Sequence, residues 1–356
     1  MQITNFTVNQ KNLFETAFET VEITELEAGE VLFKIDKYAF TSNNITYAVI
    51  GHQFGYWNFF PTDAPNGIVP VWGFADVVAS KNEKVQVGER VYGYFPMSDY
   101  LKIQAGKINP FGFVDVAAHR SKLSPIYNYY GRTTADPTYK AALEDYIPII
   151  KPLFATSFLN YHFLKEEGFM GAENVILTSA SSKTALGLAF SLKQNQAEDG
   201  KKIIGLTSAR NVDFVKGTGF YDEVINYDEV ANNLPSNKTM LVDFAGNSDL
   251  LQSIYDGMGE NMTYMSLIGL TDWKARKGAK IPVAKLFFAP DHIQHRYKTW
   301  GAEKTNLLLS KGLFAFIQSA QSWIELEYVE GQDNIKNLYL GMLKGKVDPS
   351  KGYIVR

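Results

Sequence analysis

A short run of small polar residues stands between a buried-strand pattern at 174–178 and a helical pattern at 184–194. A helix N-terminus that follows a strand presents free N–H groups and the positive end of the helix dipole, and these bind phosphate. Small side chains allow a pyrophosphate to approach the backbone closely, serine hydroxyls can donate to it, and a lysine adds positive charge. The run therefore predicts a nucleotide-phosphate site at Ser179, Ala180, Ser181, Ser182, Lys183 and Thr184. The alternative is an ordinary strand-to-helix turn in which a serine caps the helix.

The next strand pattern, 202–207, ends without the carboxylate that binds the ribose of NAD. Ser208 and Arg210 follow it instead. A guanidinium forks onto phosphate and a hydroxyl donates to it, so this pair suits the 2′-phosphate of NADP(H). The ending therefore favours NADP(H) over NAD, and the alternative is a solvated loop with a helix cap.

The same run also resembles the end of the phosphate-binding loop of ATP and GTP hydrolases. That loop requires two glycines, but Leu177 and Ser182 stand at their positions. The pattern therefore argues against nucleoside triphosphate hydrolysis.

The composition excludes several classes of chemistry. The chain has 356 residues, a length typical of about two domains. It contains no cysteine, which excludes disulfides, thiolate catalysis, iron–sulfur clusters and zinc sites built on sulfur. Its 35 Lys and Arg residues nearly balance 38 Asp and Glu residues, for a formal net charge of −3, so charge gives no reason to expect a nucleic acid partner.

The sequence shows no pattern that would direct it to a membrane. Residues 1–5 lack the basic region and apolar stretch of a signal peptide. The most apolar window, 146–164, contains Lys151 and two prolines, whereas a spanning helix needs about 20 mostly apolar residues. We therefore expect a cytoplasmic protein, without a membrane partner, that acts on a small-molecule substrate.

The elements that must position these residues change along the chain. The first 130 residues contain short β-patterns such as 30–36, in which apolar and polar residues alternate. Residues 121–140 are irregular and rich in tyrosine, which predicts a linker or a loop. From residue 174 onward, strand patterns alternate with helical ones, which implies a parallel sheet with right-handed crossovers. The predicted fold class is α/β.

Several blocks of the sequence resemble the medium-chain dehydrogenase/reductase superfamily, especially its zinc-free quinone and enone reductases. The resemblance runs over nearly the whole chain. In the first part of the chain, residues 69–78 resemble the glycine-bearing strand of the superfamily and residues 84–91 its Gly-Asp-Arg-Val turn, here Gly-Glu-Arg-Val. Four later blocks resemble the nucleotide fingerprint (174–187), a segment ending in Val-Ile-Asn-Tyr (221–227), the fourth cofactor-domain strand (241–246) and the closing strand (352–356). Serines replace the glycines of the fingerprint, and the tyrosine-rich segment 127–139 is unusual, which suggests an outlying branch.

The resemblance implies a GroES-like, β-rich catalytic domain at 1–135 and 291–356, into which a Rossmann domain at 136–290 is inserted. The active site would lie in a cleft that the nicotinamide enters. Members of the superfamily often dimerise by pairing one strand of each Rossmann sheet, and 285–289 is the expected homodimer edge. The resemblance also implies further cofactor contacts at Tyr227, Gly246 and Gly269.

The chemistry implied by this resemblance needs no metal. Zinc members place His-Glu after the glycine that corresponds to Gly73, whereas Phe74 and Ala75 follow it here. His292 and His295 could share a helix face, but such a pair without a third ligand is more typical of a surface. We therefore predict no metal site, and NADPH-dependent hydride transfer to an activated C=C or C=O bond, as in a quinone or an enone.

The acceptor oxygen gains negative charge as hydride arrives, and a nearby donor would stabilise that charge. Segment 41–47 is similar to the reductase segment that carries an active-site Asn and Tyr. Tyr47 falls on that tyrosine and is the candidate proton or hydrogen-bond donor, while Asn43 or Asn44 would lie near the nicotinamide. The alternative is a tyrosine packed inside a β-domain.

Aromatic residues elsewhere in the first domain could line an apolar substrate cleft. The candidates are His52, Tyr56, Trp57 and Tyr129, with Phe59, Phe60, Tyr127 and Tyr130 beside them. Arg132 could meet an anionic substrate or a cofactor phosphate. Because aromatic runs are more often core, ordinary packing is the alternative.

Two other functions compete with a reductase. A dinucleotide-binding scaffold or sensor that has lost catalysis would be consistent with the missing glycines of the fingerprint. An S-adenosylmethionine-dependent methyltransferase also uses a Rossmann-like sheet, but the β-rich region before the sheet and the closing strand after it argue against that class.

Overall fold

The computed structural model describes residues 1–136, 138–268 and 281–356. The chain folds into two compact units: unit 1 consists of Met1–Ile149 and Glu325–Arg356, and unit 2 consists of Ile150–Ile324. Both boundaries lie later in the chain than the expected domain boundaries after residues 135 and 290.

Contacts within each unit account for the later boundaries. Glu144 receives hydrogen bonds from the Arg90 guanidinium at 2.7 and 2.8 Å, which ties the residues just before the first boundary to unit 1. Near the second boundary, the Phe316 ring stacks on Phe154 with centroids 5.2 Å apart and packs on Phe190 at 5.1 Å. The helix that carries Phe316 therefore belongs to unit 2.

Unit 1 is mainly β-structure. Its first nine strands are β1 Gln2–Asn9, β2 Asn12–Glu22, β3 Glu30–Phe40, β4 Asn66–Gly67, β5 Pro70–Ser80, β6 Arg90–Pro96, β7 Tyr100–Asn109, β8 Gly112–Asp115 and β9 Tyr129–Arg132. Two short helices follow β3, namely α1 Ser42–Val49 and α2 Gly51–Phe54.

Unit 2 begins within the long helix α3, Ile147–Glu166. Its strands are β10 Asn174–Leu177, β11 Lys202–Thr207, β12 Glu223–Asn226, β13 Thr239–Asp243, β14 Met262–Leu267 and β15 Ala284–Leu286. Its further helices are α4 Lys183–Gln194, α5 Gln196–Asp199, α6 Val212–Gly217, α7 Ser248–Met258, α8 Ala289–Trp300 and α9 Ala302–Ala320. The chain then returns to unit 1 as β16 Glu325–Val329, α10 Gln332–Leu343 and β17 Lys351–Val355.

The larger sheet of unit 1 closes into a barrel. Its strand order is β16-β17-β3-β5-β6-β9-β8-β7, and β3 also pairs with β7. Strand β3 confirms the predicted alternation, since Val31, Phe33 and Ile35 are buried while Lys34 and Asp36 are exposed. Inside the barrel the Phe33 ring packs on other aromatic rings, with centroid distances between 5.0 and 6.1 Å. The first β-patterns of the sequence thus form the wall and core of one barrel.

Strand β9 corrects a sequence interpretation. Residues 121–140 were expected to be a linker or a loop, but Tyr129–Arg132 pairs antiparallel with β6 and with β8. In this strand, Gly131 lies opposite Tyr92 of β6 on one side and Gly112 of β8 on the other. Pairing with two distant strands, which local composition does not encode, makes this segment a barrel strand.

Unit 2 contains the predicted parallel sheet. Its strand order is β12-β11-β10-β13-β14-β15, and every neighbouring pair is parallel. Counted along the chain this order is 3-2-1-4-5-6, that of a Rossmann sheet, in which ligands bind outside the carboxyl ends of the strands. The carboxyl end of β10 therefore lies at the centre of the expected binding edge.

Close packing fixes the helix that follows β10. The Ser157 hydroxyl of α3 donates to the Thr184 carbonyl at 2.7 Å. A Cβ at Gly187 would lie 2.8 Å from the same hydroxyl oxygen, so glycine is required for the two helices to approach. The first turn of α4 is thereby held against α3.

The last described strand of the sheet, β15, forms one end of the strand order. Lys285 and Leu286 on it are exposed, at the position expected for a homodimer edge. Across the described residues, none of the helices combines the length and the apolar character that crossing a membrane requires.

Candidate functional site

The predicted phosphate turn lies at the carboxyl end of β10 and leads directly into α4. Ser182 is the N-cap of α4, and its hydroxyl oxygen accepts a hydrogen bond from the Ala185 N–H at 3.2 Å. Ser182 also donates its own N–H to the Ser179 carbonyl at 2.7 Å, which closes the turn. The helix begins at Lys183, so the positive end of its dipole faces the turn.

Neighbouring loops hold the turn in place. Ser179 adopts a left-handed conformation, with φ of 46°, and donates its N–H to the Tyr227 hydroxyl at 2.7 Å. The Tyr221 hydroxyl donates to the Ala180 carbonyl at 2.9 Å, and the Ala180 N–H donates to the Leu206 carbonyl at 2.9 Å. Burial raises the pKa of Tyr227, although the bond from Ser179 opposes this, so its hydroxyl is neutral at ordinary pH.

The end of the second strand is joined to the same turn. The Asn211 side-chain amide donates to the Ser181 hydroxyl at 3.0 Å. Ser208 is partly buried, and Arg210 is exposed in the three-ten helix Ala209–Asn211. Arg210 therefore immediately precedes a residue that contacts the turn, at the carboxyl edge of the sheet.

A buried carboxylate that the sequence analysis did not single out joins the first and fourth strands. Asp243, at the end of β13, accepts a hydrogen bond from the Thr178 hydroxyl at 2.6 Å and another from the Gly246 N–H at 2.9 Å. Gly246 has a φ of 74°, which favours glycine. Asp243 thus fixes Gly246, a predicted cofactor contact, beside the end of β10. Gly269, also predicted, lies outside the described residues.

In unit 1, the two candidate asparagines have different environments. Asn44 is 3% exposed, and its side-chain oxygen accepts from the Thr41 N–H at 2.7 Å. Its side-chain amide donates to the Pro70 carbonyl at 2.9 Å. Asn44 therefore caps α1 and holds it to β5. Asn43, by contrast, is partly exposed in the first turn of α1, the helix that also carries Tyr47.

Tyr47 lies on α1, and its hydroxyl oxygen accepts a hydrogen bond from the Trp72 Nε1–H at 3.3 Å. The Tyr47 side chain is buried, and burial raises its pKa above the ordinary tyrosine value despite this bond. The phenol is therefore neutral at physiological pH and retains a proton to donate.

Tyr47 belongs to a group of aromatic side chains that we call the tyrosine cluster, made of Tyr47, Tyr56, Phe59, Trp72, Tyr92, Tyr94 and Tyr127. The ring centroids of Tyr47 and Tyr56 are 4.6 Å apart, as are those of Tyr94 and Tyr127. The hydroxyl oxygens of Tyr56 and Tyr127 lie 3.2 Å apart. The structure thus joins Tyr56 and Tyr127 to Tyr47.

The other substrate candidates lie in different settings. His52 is exposed on α2. Trp57 is a core residue, since it is 5% exposed and a Cβ at Gly67 would come within 2.5 Å of its ring. Tyr129 is exposed, and a Cβ at Gly112 would lie 2.7 Å from its hydroxyl oxygen. The structure does not join these three residues to the Tyr47 hydroxyl.

Arg132 stabilises the barrel wall. Its guanidinium lies 2.6 Å from a Glu89 carboxylate oxygen and donates to the Lys84 carbonyl at 2.8 Å and to the Asn109 carbonyl. It also lies over the Phe113 ring, 5.3 Å from the centroid. The Arg132 guanidinium, which from the sequence could meet an anion, therefore binds groups of the barrel wall.

The predicted histidine pair is not arranged as a metal site. His292 stacks on Phe287 with ring centroids 4.1 Å apart, whereas His295 lies 3.5 Å from the Glu166 carboxylate. Within 1–136, 138–268 and 281–356, no group of three or more His, Asp or Glu side chains is arranged to hold a metal ion.

Three solved structures illustrate the proteins that share this fold. CurA from Vibrio vulnificus in complex with NADPH is 15% identical with a TM-score of 0.61. The quinone oxidoreductase from Coxiella burnetii and the yhdH oxidoreductase from Salmonella enterica in complex with NADP are each 14% identical with a TM-score of 0.55. Each similarity covers 100% of this chain and 99% of the other.

At these identities the similarity concerns the fold. The shared fold combines a β-rich, GroES-like domain with a Rossmann domain, as the sequence resemblance implied. A search of curated proteins gave no match. The family model described as "Protein of unknown function (DUF2855)" matches residues 38–348, so the chain belongs to that family.

Proposed function

We propose that the chain is a zinc-independent, NADPH-dependent oxidoreductase that transfers hydride to an activated C=C or C=O bond of a small apolar substrate, such as a quinone or an enone. The observation that carries this proposal is the serine turn at the carboxyl end of β10, joined through Asn211 to the segment that presents Arg210.

The residues at this edge fit the cofactor. The N-terminus of α4 and the Ser181 and Ser182 hydroxyls would hold the pyrophosphate. Arg210 and Ser208 would hold the 2′-phosphate, since a guanidinium pairs with phosphate in a forked geometry. The similarity to CurA with NADPH and to the yhdH oxidoreductase with NADP supports this choice.

The catalytic proton would come from Tyr47. NADPH, when bound, supplies a hydride, and the acceptor oxygen of the substrate then gains negative charge. The neutral Tyr47 phenol would donate a hydrogen bond and then its proton to that oxygen, while the Trp72 Nε1–H holds the Tyr47 oxygen in place. Preorganised donors of this kind need no reorganisation as charge develops.

Zinc independence is supported by the residues at the position of the family's metal ligands. Phe74 and Ala75 follow Gly73 on β5, and both are buried in the barrel region. Neither side chain has an atom that binds zinc, and the sequence contains no cysteine. Substrate polarisation therefore falls to hydroxyl and amide groups in this proposal.

We also propose that two chains pair through β15. This strand stands at the end of the described sheet order, and Leu286 and the adjoining Phe288 are 52% and 43% exposed. Light scattering would test this directly. A dimer that Leu286→Lys dissociates is expected, and a wild-type monomer would contradict the pairing.

A second candidate is a dinucleotide-binding sensor without catalysis. The contact that favours it is the hydrogen bond from the Ser179 N–H to the Tyr227 hydroxyl, because a catalytic dinucleotide turn usually leaves that N–H to the cofactor. The tyrosine cluster favours the enzyme, since a sensor has no need for a neutral tyrosine whose hydroxyl oxygen is held by an indole donor.

The decisive experiment has two stages. NADPH fluorescence is titrated with the full chain, and binding below about 1 mM is expected. NADPH consumption is then followed with 1,4-benzoquinone, 2-cyclohexenone and benzaldehyde as probes. Tyr47→Phe should lower turnover without weakening NADPH binding. Failure to bind NADPH would refute both candidates, and binding without turnover by any probe would favour the sensor.

A further inference from the structure

We propose that Asn211 is a positioning residue for the cofactor, because its side-chain amide fixes the Ser181 hydroxyl as a hydrogen-bond donor to the pyrophosphate. This inference rests on the proposed function, since it concerns the NADPH that the proposed reductase binds. It adds to that function a residue outside the phosphate turn, at the end of the neighbouring strand, that controls how tightly the turn holds the pyrophosphate.

The contact between Asn211 and Ser181 joins two neighbouring strand ends. Ser181 follows β10 and Asn211 follows β11, and these two strands pair in parallel. The Asn211 Nδ2 donates to the Ser181 hydroxyl oxygen at 3.0 Å, across 30 positions of the chain, and the bond is partly buried. Partial burial lowers the local dielectric and strengthens such a bond, so it can hold the hydroxyl in one orientation.

The direction of this bond decides what the Ser181 hydroxyl can offer to a ligand. An amide nitrogen only donates, so the Ser181 oxygen accepts and retains its own proton for another acceptor. Ser182 is oriented in the same way, because its hydroxyl oxygen accepts from the Ala185 N–H at 3.2 Å. Phosphate oxygens are acceptors, so both hydroxyls of the turn match a pyrophosphate as donors.

The side chain of Asn211 is not used by its own helix. Asn211 stands just before α6, where asparagine often caps a helix, but its backbone is helical and its side chain forms no cap. Asn247, just before α7, shows the usual arrangement, since its side-chain oxygen accepts from the Leu250 N–H at 3.0 Å. Asn211 instead directs to Ser181 a side chain that the usual arrangement would use for a cap.

Other bonds hold the backbone of the turn. The Ala180 N–H donates to the Leu206 carbonyl at 2.9 Å, and the Tyr221 hydroxyl donates to the Ala180 carbonyl at 2.9 Å. Neither bond involves Asn211. Removal of the Asn211 side chain should therefore free the Ser181 hydroxyl to rotate while the backbone of the turn stays in place.

The first test is a double-mutant cycle on NADPH binding, measured by fluorescence with the full chain. Ser181→Ala should weaken binding about tenfold, because a hydrogen bond to a charged group is lost. Asn211→Ala should weaken it about fivefold, because the hydroxyl remains but loses the bond that orients it. In the Ser181→Ala background, Asn211→Ala should add less than about twofold, since the two residues act as one unit. Additive losses, or no loss in Asn211→Ala, overturn the proposal.

The second test separates this role from a general effect on the loop that carries Arg210. Adenosine 2′-monophosphate contains the 2′-phosphate of the cofactor but no pyrophosphate. Its affinity, measured by calorimetry, should change less than about twofold in Asn211→Ala and fall about tenfold or more in Arg210→Ala. An equal loss of this fragment and of NADPH in Asn211→Ala would mean that Asn211 merely supports the loop, and the proposal would fail.

Asn195→Ala is the matched control. Asn195 lies at the other end of α4, is likewise partly exposed, and donates its side-chain amide to the Ser191 carbonyl at 2.8 Å. The variant therefore removes a similar bond far from the turn, and NADPH affinity should stay within about twofold of the wild type. A loss as large as that in Asn211→Ala would overturn the proposal.

The binding data also distinguish this inference from the function on which it rests. A wild-type chain that does not bind NADPH refutes the proposed function and this inference with it. Wild-type binding that Asn211→Ala leaves unchanged refutes this inference alone. Urea unfolding accompanies both tests, and Asn211→Ala should unfold at a midpoint close to that of Asn195→Ala; a much lower midpoint would assign Asn211 a structural role instead.

Discussion

The backbone N–H of Ser179 donates to the hydroxyl of Tyr227 at 2.7 Å, and this bond holds a serine in the left-handed conformation that glycine usually adopts. The two residues lie on neighbouring segments of unit 2, after β10 and after β12. Their contact explains how a nucleotide-type turn can form without its first glycine, because the strain at Ser179 is offset by a partly buried hydrogen bond.

The strain at Ser179 can be measured by comparing two substitutions. A left-handed residue with a Cβ costs about 1–2 kcal/mol, whereas glycine avoids that cost. Ser179→Gly should therefore be more stable than Ser179→Ala by about 1 kcal/mol. Urea unfolding of the two variants checks this, and equal midpoints would show that the turn changes its conformation instead.

The choice of cofactor is tested at Arg210. A guanidinium–phosphate hydrogen bond contributes about 1.5–3 kcal/mol, so Arg210→Ala should weaken NADPH binding about 10- to 100-fold and NADH binding much less. Lys216→Ala is a suitable control because Lys216 is an exposed cation on the following helix. Equal losses for the two cofactors would contradict our interpretation of the loop.

Alanine substitutions at the two neighbouring asparagines should affect different properties, stability at Asn44 and turnover at Asn43. Asn44→Ala removes a helix cap and leaves the buried Pro70 carbonyl without its donor, so the free energy of unfolding should fall by about 2 kcal/mol. Asn43→Ala should leave stability nearly unchanged and lower turnover of the quinone probe. Urea unfolding and NADPH consumption, measured on both variants, distinguish them. A large loss of stability in Asn43→Ala would refute this division.

Glu144 should make the free energy of unfolding depend on pH in the acidic range. Burial alone would raise the pKa of its carboxyl, but hydrogen bonds from Arg90, Tyr139 and Lys37 outweigh burial and lower the pKa to about 2. Because folding depresses this pKa, the carboxylate stabilises the folded chain above its ordinary value of 4.5, and that contribution is lost as the pH falls toward 2.

Glu144→Gln should therefore destabilise the chain near neutral pH, and its difference from the wild type should shrink between about pH 5 and pH 2. Urea unfolding at a series of pH values measures this. Glu198→Gln is the control, because that carboxylate is 70% exposed and its pair with Lys165 should contribute little. A difference that stays constant with pH would mean that Glu144 acts through packing alone.

The parallel sheet of unit 2 could be predicted because its strands are short buried runs separated by helices, a pattern that local sequence encodes. Strand β9 could not, because glycine and the neighbouring prolines favour turns while its pairing partners, β6 and β8, lie elsewhere in the chain. Where the strands that pair with a segment are distant in the chain, local composition alone predicts the wrong secondary structure.

The candidate site likewise combines features that local sequence predicts with contacts between residues far apart in the chain. Tyr47 was found from its similarity to a reductase segment, and the Thr41-x-x-Asn44 spacing carries a capping signal that identifies Asn44 as structural. The bond between Thr178 and Asp243 joins residues 65 positions apart, and no local pattern marks it. The hydrogen bond from Trp72 to Tyr47 likewise follows only from the folded barrel.

The pairing of β17 with β3 has a consequence for the order of folding. Residues 353–355 lie opposite 38–40, and the Tyr339 hydroxyl donates to the Leu13 carbonyl across 326 positions of the chain. During synthesis, all of unit 2 emerges from the ribosome before these partners exist. Unit 2 can therefore fold first, while residues 38–40 of β3 still lack their β17 partners, since β7 pairs only with residues 30–34 of that strand. Until β17 is made, this unpaired segment is exposed to aggregation and to chaperones.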